Sequence, residues 1–464
     1  MDLLNKKGKI FLVGIGGIGM SGLAEILNSL GYKISGSDIK NGSNIARLRR
    51  LGIKINIGHD KRNIIGSSLI VYSSAIKDSN IEIKKAKSLS IPIISRSEML
   101  AELMRMKKTI TVAGSHGKTS TISVISEIFL TSNLDPTVIN GGIINALGSN
   151  TKLGSSEWMI VETDESDGSF VNLPSFCSIV TSIDDEHIDY YKSFRSLEDA
   201  FAEYINNTSI FGFSAICMDD TKAYKLAKKQ KRSDIVYYGT KVKANYRAKN
   251  IRIKNDGQLF DVEVKQLNKK NIICKDIFFP MHGTHNLNNA MGAITVSHKL
   301  GINFTKIKKA LKNFQGVKRR LTLISNYKGA YFYDDYAHHP SEIVATLKAL
   351  KQINKKRIIT IIQPHRFSRV KQTFNDYKKS FKESDITLVL PIYSAGEKKI
   401  KKYNSSYLTQ AIKKYSKKEA YDFKNFLSVE RFLIKEVKKD DVVIFMGAGS
   451  ISRLANDFLE KLGK

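Results

Sequence analysis

Residues 109 to 121, Thr-Ile-Thr-Val-Ala-Gly-Ser-His-Gly-Lys-Thr-Ser-Thr, restrict the folds open to this chain more than any other stretch. Thr109 to Val112 is a short β-branched run of the kind that fills a buried strand. Gly114, Ser115, His116 and Gly117 break it. Lys118, Thr119 and Ser120 then open a segment with apolar residues at Ile122, Ile125, Ile128 and Phe129, which is helical spacing. A strand, a glycine turn and a helix N-terminus make an anion cradle, because unpaired backbone N–H groups and the helix dipole both favour phosphate. Lys118 is placed to reach the outer phosphates of a nucleotide, and the Thr119 hydroxyl to take a place on Mg2+. The strict phosphate-loop pattern has a glycine where this chain has Val112, so the expectation rests on the strand–turn–helix context.

The same grammar occurs once before. Lys9 to Val13 reads as a strand, Gly14-Ile15-Gly16-Gly17-Ile18-Gly19 as a turn, and Met20 to Leu30 as a helix, with a second strand ending at Asp38. This G-x-G-x-x-G fingerprint predicts a pyrophosphate on a helix N-terminus and a carboxylate near a ribose. NAD is the default ligand of such a loop, but any nucleoside diphosphate has the same anionic centre. Leu69 to Ile76 reads as a later strand of that sheet, with Ser73 and Ser74 at its ligand-binding end. Glu98 to Lys108 reads as a charged helical linker, so the first domain ends near residue 106.

A chain of 464 residues predicts two to four domains. Its 75 Lys and Arg against 44 Asp and Glu leave a net charge of +31. The lysines are scattered rather than clustered, which argues against a nucleic-acid partner and suits small anionic substrates. Cys177, Cys217 and Cys274 are far apart and form no C-x-x-C pair, so neither a zinc site nor a disulfide framework is expected. Lys6, Lys7 and Lys9 precede the uncharged run Ile10 to Ala24, which imitates a secretory leader. Its glycines suit a turn better than an apolar helix, and it is too short to span a bilayer. A cytoplasmic protein with no membrane partner is expected.

Chemistry-bearing residues recur at strand ends. Trp158 to Val161 runs into Glu162-Thr-Asp164-Glu165-Ser-Asp167, where a Mg2+ ligand is expected downstream of a phosphate loop. Glu162, nearest the strand, is the choice, with several of the other acids read as solvated. Phe176 to Ile183 leads into Asp184-Asp-Glu186-His187, which gives His187 a metal or phosphate role. Residues 221 to 275 read as Lys-rich β hairpins. Asn286, in Met281 to Ala290, contacts a base or caps the following helix. Arg319-Arg320, then Asp334-Asp335-Tyr336-Ala-His338-His339-Pro340, then Gln363-Pro-His365-Arg366-Phe-Ser-Arg369 follow, and Pro340 marks a helix start. The expectation is an α/β protein of three domains: Rossmann-like over 1–106, mononucleotide-binding over 107–317, and Rossmann-like again over 318–464.

Taken in order, the segments Gly14–Glu25, Ala113–Ser120, Glu162–Asp167, Asp185–Asp189, Gly283–Ala290, Arg319–Arg320, Asp334–Glu342 and Gln363–Arg369 resemble the Mur ligase family of ATP-dependent amide-bond-forming enzymes. The start Gly14-Ile-Gly-Gly-Ile-Gly-Met-Ser-Gly-Leu-Ala24 is similar to the alanine-adding branch. The resemblance implies joining of L-alanine to the lactyl carboxylate of UDP-N-acetylmuramate in peptidoglycan synthesis, with ATP and Mg2+, by a monomer or homodimer. It assigns Gly14, Gly16, Gly17, Ile18, Gly19, Asp38, Ser73 and Ser74 to the UDP-sugar. Gly114 to Ser120, Asn286, Arg320 and Asp335 go to ATP, and Thr119, Glu162 and His187 to the metals. Tyr336, His338, Arg366 and Arg369 would face the lactyl carboxylate and the alanine. Lys118, His187, Arg320 and His338 would be catalytic, either histidine assisting proton loss from the amine. Two positions depart from the family pattern: Thr181-Ser182 stands where Thr-Asn is usual, and Glu186-His187 where Asp-His is usual. A sister ligase adding another amino acid or peptide is the nearest alternative. An NAD-dependent oxidoreductase would leave the Lys118 loop and the acidic strand ends unexplained, and a nucleic-acid-stimulated NTPase would need a nucleic-acid-binding motif that the sequence does not show.

Overall fold

The computed structural model describes residues 8–232, 234–353 and 356–463; Lys6 and Lys7 of the leader-like stretch lie outside the described residues. Among the described residues the chain forms three sheets with helices between the strands, the α/β architecture expected. It divides into two compact units. One comprises Met1–Lys249, Asp261–Ile277 and Asn288–Phe314, the other Asn250–Phe260, Phe278–Leu287 and Gln315–Lys464.

The first sheet runs in the order Lys54–Ile57, Lys33–Asp38, Lys9–Val13, Leu69–Tyr72, Ile93–Ser95, all parallel. Phe11, Leu12 and Val13 are fully buried, as the central strand of a parallel sheet covered on both faces requires. The expected linker is instead a core element. Helix Arg96–Arg105 is opened by a capping box between Ser95 and Glu98 and buries Met99, Leu100, Ala101, Leu103 and Met104. Its charges lie between these positions and disguise the apolar stripe. Apolar side chains stabilise by about 1.5–3 kcal/mol each when buried, which makes this helix an integral element of the domain.

In the second sheet, strand Lys108–Ala113 lies between Ser175–Val180 and Trp158–Glu162, parallel to both. The loop after Ala113 is therefore flanked by the ends of those two strands. Thr137–Ile144 follows beyond Trp158–Glu162, paired antiparallel with Ser149–Lys152. Residues 221 to 275 open with a helix, Thr221–Lys228, before their strands begin. Asp220 caps it by accepting from the Ala223 N–H at 2.7 Å, and Ala223, Leu226 and Ala227 are buried at helical spacing.

The third sheet runs Thr322–Tyr327, Ala330–Asp335, Val442–Met446, Ile358–Ile362, Ile386–Val389, Glu419–Asp422. Its first pair is antiparallel and the rest are parallel. The register places Asp335 beside Met446 and Met446 beside Ile362, so the loops starting at Tyr336, Gly447 and Gln363 leave one edge of the sheet together. Ligands bind at such carboxyl edges. Pro340 opens helix Pro340–Ile353, as expected. Among the described residues no helix is long and apolar enough to cross a membrane.

Candidate active site

The first glycine loop is built by close approach. Gly14 has a φ of +78°, and a Cβ there would press on Ser73 at 3.2 Å. The Gly16 N–H donates to Asp38 Oδ2 at 2.9 Å, and Asn44 Nδ2 donates to the Gly16 carbonyl at 2.9 Å. Gly17 caps helix Ile18–Ser29, and a Cβ at Gly19 would touch the guanidinium of Arg96 at 2.6 Å. Ile18 is exposed. Ser74 lines a nearby cavity of about 480 Å3 with Tyr72, Lys77, Ser95, Arg96 and Asp167. Lys77 and Arg96 bring two cations to this cavity, and Asp78 and Asp167 two carboxylates. Sequence reading missed Arg96 because it opens the helix taken for a linker.

The second loop is held harder. Gly114 and Gly117 have φ of +139° and +85°, and a Cβ at Gly117 would collide with Asn289 Oδ1. Thr181 Oγ1 donates to the His116 carbonyl at 2.5 Å, the His116 N–H donates to Ser182 Oγ at 3.0 Å, and the Ser115 N–H to the Ser182 carbonyl at 3.0 Å. Ser115 Oγ accepts from the Asp184 N–H at 2.8 Å, and His116 Nε2 lies 3.2 Å from Asp184. Ser182 thus braces the loop backbone. Helix Lys118–Thr131 starts here, with Ser120 in its first turn.

Lys118 Nζ donates to the Gly114 carbonyl at 2.6 Å and to both oxygens of Glu165 at 2.7 and 2.8 Å. Burial disfavours its ammonium, but Glu165, Glu162 and Asp164 outweigh that and hold the pKa at about 12. Glu165, read from sequence as one of several solvated acids, is 2% exposed. A short 3-10 turn, Glu165–Asp167, folds it inward, and Tyr191 Oη donates to its carbonyl at 2.6 Å.

Thr119 Oγ1 donates to Glu162 at 3.0 Å, and the Gly141 N–H donates to the same carboxylate at 2.7 Å. His187 Nε2 stands 3.9 Å from Glu165 Oε1 and 3.9 Å from Glu186 Oε2. The expected metal set therefore falls into two clusters: Thr119 with Glu162, and His187 with Glu165 and Glu186. In the latter cluster each residue offers a donor atom within 4.8 Å of the others. Carboxylate and hydroxyl oxygens dominate both, which suits a hard cation such as Mg2+.

The third group gathers at the edge of the C-terminal sheet. Asp335 accepts from the Leu321 N–H at 2.6 Å and the Ala337 N–H at 2.7 Å. Burial raises its pKa to about 6, with Arg320 the main opposing influence. The guanidiniums of Arg319 and Arg320 lie over the Tyr336 ring at 4.9 and 5.1 Å. His338 Nδ1 lies 2.9 Å from the Tyr336 carbonyl, and its ring 5.7 Å from that of His365. His365 stacks on Tyr393 and lies 3.3 Å from Arg369. Burial, then His338, Arg369 and Arg366, depress its pKa to about 4, so the ring is neutral. Arg366 caps helix Phe367–Tyr377 at a φ of 67°. His365 and Glu342 are the residues missed here, though both lie in the motifs read from the sequence. Asn286, 5% exposed, donates to the His282 carbonyl at 2.9 Å and so serves its own helix start. Asn289 is the asparagine that meets the phosphate loop.

Three family models match the chain in order: "Mur ligase family, catalytic domain" over residues 9–108, "Mur ligase middle domain" over 112–297, and "Mur ligase, glutamate ligase domain" over 319–449. The chain is 42% identical over 446 residues to the UDP-N-acetylmuramate–L-alanine ligase of Sinorhizobium medicae, covering 96% of this chain and 95% of that one. It is also 42% identical over 462 residues to the enzyme of that name from Parvibaculum lavamentivorans, covering 98% and 94%. Among solved structures it is similar to the UDP-N-acetylmuramate–alanine ligase of Thermotoga maritima, with a TM-score of 0.81, 27% identity, and 98% and 99% of the two chains covered.

Proposed function

The chain belongs to the Mur ligase family, and from that membership we infer its reaction: ATP, L-alanine and UDP-N-acetylmuramate give ADP, phosphate and UDP-N-acetylmuramoyl-L-alanine, a step of peptidoglycan synthesis. On the structural side one observation carries the reading. Lys118 is a half-buried ammonium, kept charged by Glu165, Glu162 and Asp164, at the mouth of a glycine loop, placed to hold the phosphates of ATP.

A carboxylate does not react with an amine at neutral pH, because hydroxide is a poor leaving group and the amine is protonated. Transfer of the γ-phosphoryl group to the lactyl carboxylate gives an acyl phosphate, whose leaving group is good. Two anions must meet for this, so catalysis consists largely of charge neutralisation and alignment. Lys118 and Arg320 supply fixed positive charge, and the backbone of Gly114 to Ser120 cradles the phosphates. Thr119, Glu162 and His187, with Glu165 and Glu186, would hold Mg2+, which supplies further positive charge beside the phosphates. Charge balance supports this, since carboxylates outnumber Lys118 around the loop and the triphosphate adds more negative charge.

The sugar nucleotide is assigned to the loop Gly14–Gly19 with Asp38, Ser73 and Ser74, and to the cavity beside Arg96. Asn286 and Asp335 are assigned to ATP, and Tyr336, His338, Arg366 and Arg369 to the lactyl carboxylate and alanine. The domains implied are 1–106, 107–317 and 318–464, and the cytoplasm, where ATP is made and spent, is the proposed location. The test is phosphate release with ATP, Mg2+, UDP-N-acetylmuramate and a panel of amino acids. Release with L-alanine supports the reading; release with glutamate or a tripeptide and none with alanine overturns it.

A further inference from the structure

The loops assigned to the sugar nucleotide and to ATP are both tied to one hairpin, Thr137–Ile144 paired with Ser149–Lys152. On the side of the first loop the tie is helix Ser43–Arg50. Its Asn44 donates to the Gly16 carbonyl at 2.9 Å. Arg47, on the same face one turn later, donates from Nη1 to Ser149 Oγ at 2.9 Å. Arg47 Nε also pairs with Glu25 Oε1 at 3.0 Å, and the other oxygen of Glu25 accepts from Thr151 Oγ1 at 3.0 Å. Glu25 belongs to helix Ile18–Ser29, which starts in the first loop. That helix lies so close to the hairpin that a Cβ at Gly22 would collide with the Thr151 methyl group.

On the side of the second loop the hairpin holds the carboxylate of Glu162. The Gly141 N–H donates to Glu162 Oε2 at 2.7 Å, and Thr119 Oγ1 donates to the same oxygen at 3.0 Å. Asn140 Nδ2 donates to Ser123 Oγ at 3.1 Å, and that hydroxyl donates to the Thr119 carbonyl at 2.7 Å. Between the two anchorages the hairpin is irregular. Its pairing jumps from Ile139↔Thr151 to Ile144↔Ser149, so residues 140–143 leave the ladder. Bulges beside active sites re-aim the groups they carry, and this one carries the N–H that orients Glu162. A shift of Ser149 and Thr151 with the first-loop helices is taken up there, in the least regularly paired part of the hairpin.

We infer that Arg47 is a positioning residue that couples the two loops: it locks the hairpin to the first loop, so that a sugar nucleotide bound there sets the bulge and Glu162 for the phosphates of ATP. The inference rests on the ligase reading for its two ligands. The bulge is ordered once, by whichever ligand arrives first, so each ligand tightens the other. Such coupling is reciprocal: the factor that the sugar nucleotide adds to ATP affinity is the factor that ATP adds to sugar-nucleotide affinity.

The test is calorimetric titration of the full chain with the β,γ-imido analogue of ATP and Mg2+, with and without saturating UDP-N-acetylmuramate, and then the reverse titration. In the unsubstituted protein each ligand is expected to tighten the other by about tenfold, equally in both directions. Arg47→Met keeps the stem and removes the guanidinium. It should bring the factor below about twofold, while each ligand alone keeps its affinity within about threefold. Ser149→Ala removes only the hydroxyl that Arg47 holds and should cut the factor by about threefold, the worth of one hydrogen bond. This second variant decides the matter if Arg47→Met does not fold. Weaker binding of both ligands alone, with the factor intact, would make Arg47 a stabilising residue and overturn the inference. So would a factor of one in the unsubstituted protein, or a factor that Ser149→Ala leaves unchanged. An unsubstituted protein that binds neither ligand brings down the ligase reading itself, whereas one that binds both independently leaves that reading standing and removes only the coupling.

Discussion

Lys118 in the phosphate loop and Asp335 at the C-terminal sheet edge are both penalised by burial and end in opposite conditions. Around Lys118, Glu165, Glu162 and Asp164 more than offset burial, and the ammonium is held with a pKa of about 12. Around Asp335 one guanidinium, that of Arg320, and two backbone N–H groups fall short, Glu342 works against them, and the pKa rises to about 6. The opposite charges nearby decide the outcome, since burial pushes both groups toward their neutral forms. A group that must meet a triphosphate charged at every working pH is overcompensated. A group with a single counter-charge is left titrating near neutrality.

The harshest way to break the comparison is Lys118→Met, which keeps the stem and removes the charge. Phosphate release should fall in kcat/KM by about 10³-fold or more, and Glu165 would be left buried without its partner. Breaking such a pair costs about 3–5 kcal/mol. Because the orphaned carboxylate escapes the penalty by taking a proton, urea denaturation should show a smaller loss at pH 5 than at pH 8. A variant that keeps a tenth of the activity would mean that the loop backbone alone holds the nucleotide. Gly117→Ala comes next. It leaves the charges alone but forces a side chain into φ of +85° against Asn289, a strain of about 1–3 kcal/mol. Expected is a rise of about tenfold in KM for ATP, with KM for the sugar nucleotide within about twofold; equal rises in both would show that the two loops are not separate sites.

What could be read from the sequence follows the range of the physics involved. Both glycine loops were legible because strand, turn and helix start are specified within about a dozen consecutive residues. The placement of polar residues at strand ends was legible for the same reason. The partner of Lys118 was not. Glu162 and Glu165 stand three apart on one acidic run, and the one buried against the lysine is chosen by a 3-10 turn and by Tyr191, which is far along the chain. Helix Arg96–Arg105 was misread because Glu98, Glu102 and Arg105 are easier to see than the apolar positions between them. The opening of residues 221 to 275 went astray likewise, with lysines hiding an Asp220-capped helix. His365 and Glu342 sit in plain motifs, but their roles depend on which nitrogen or N–H each faces, which no spacing encodes.

The mildest test of the comparison is Asp335→Asn, read as stability rather than activity. A carboxylic acid in an unfolded chain has a pKa near 3.9, whereas Asp335 in the folded protein stands at about 6. The folded state therefore holds this proton more tightly. The associated stabilisation is complete below about pH 4 and is lost as pH rises through about 6. Each pKa unit is worth about 1.4 kcal/mol, so up to about 3 kcal/mol is at stake. The amide does not titrate, and its loss of one acceptor toward the Leu321 or Ala337 N–H is the same at every pH. The variant should be less stable than the parent at pH 4 and should gain on it steadily to pH 7, in thermal midpoint or in urea denaturation. A difference that stays flat over that range would mean that Arg320 compensates Asp335 as fully as the three carboxylates compensate Lys118, and the two buried charges would then differ in sign only.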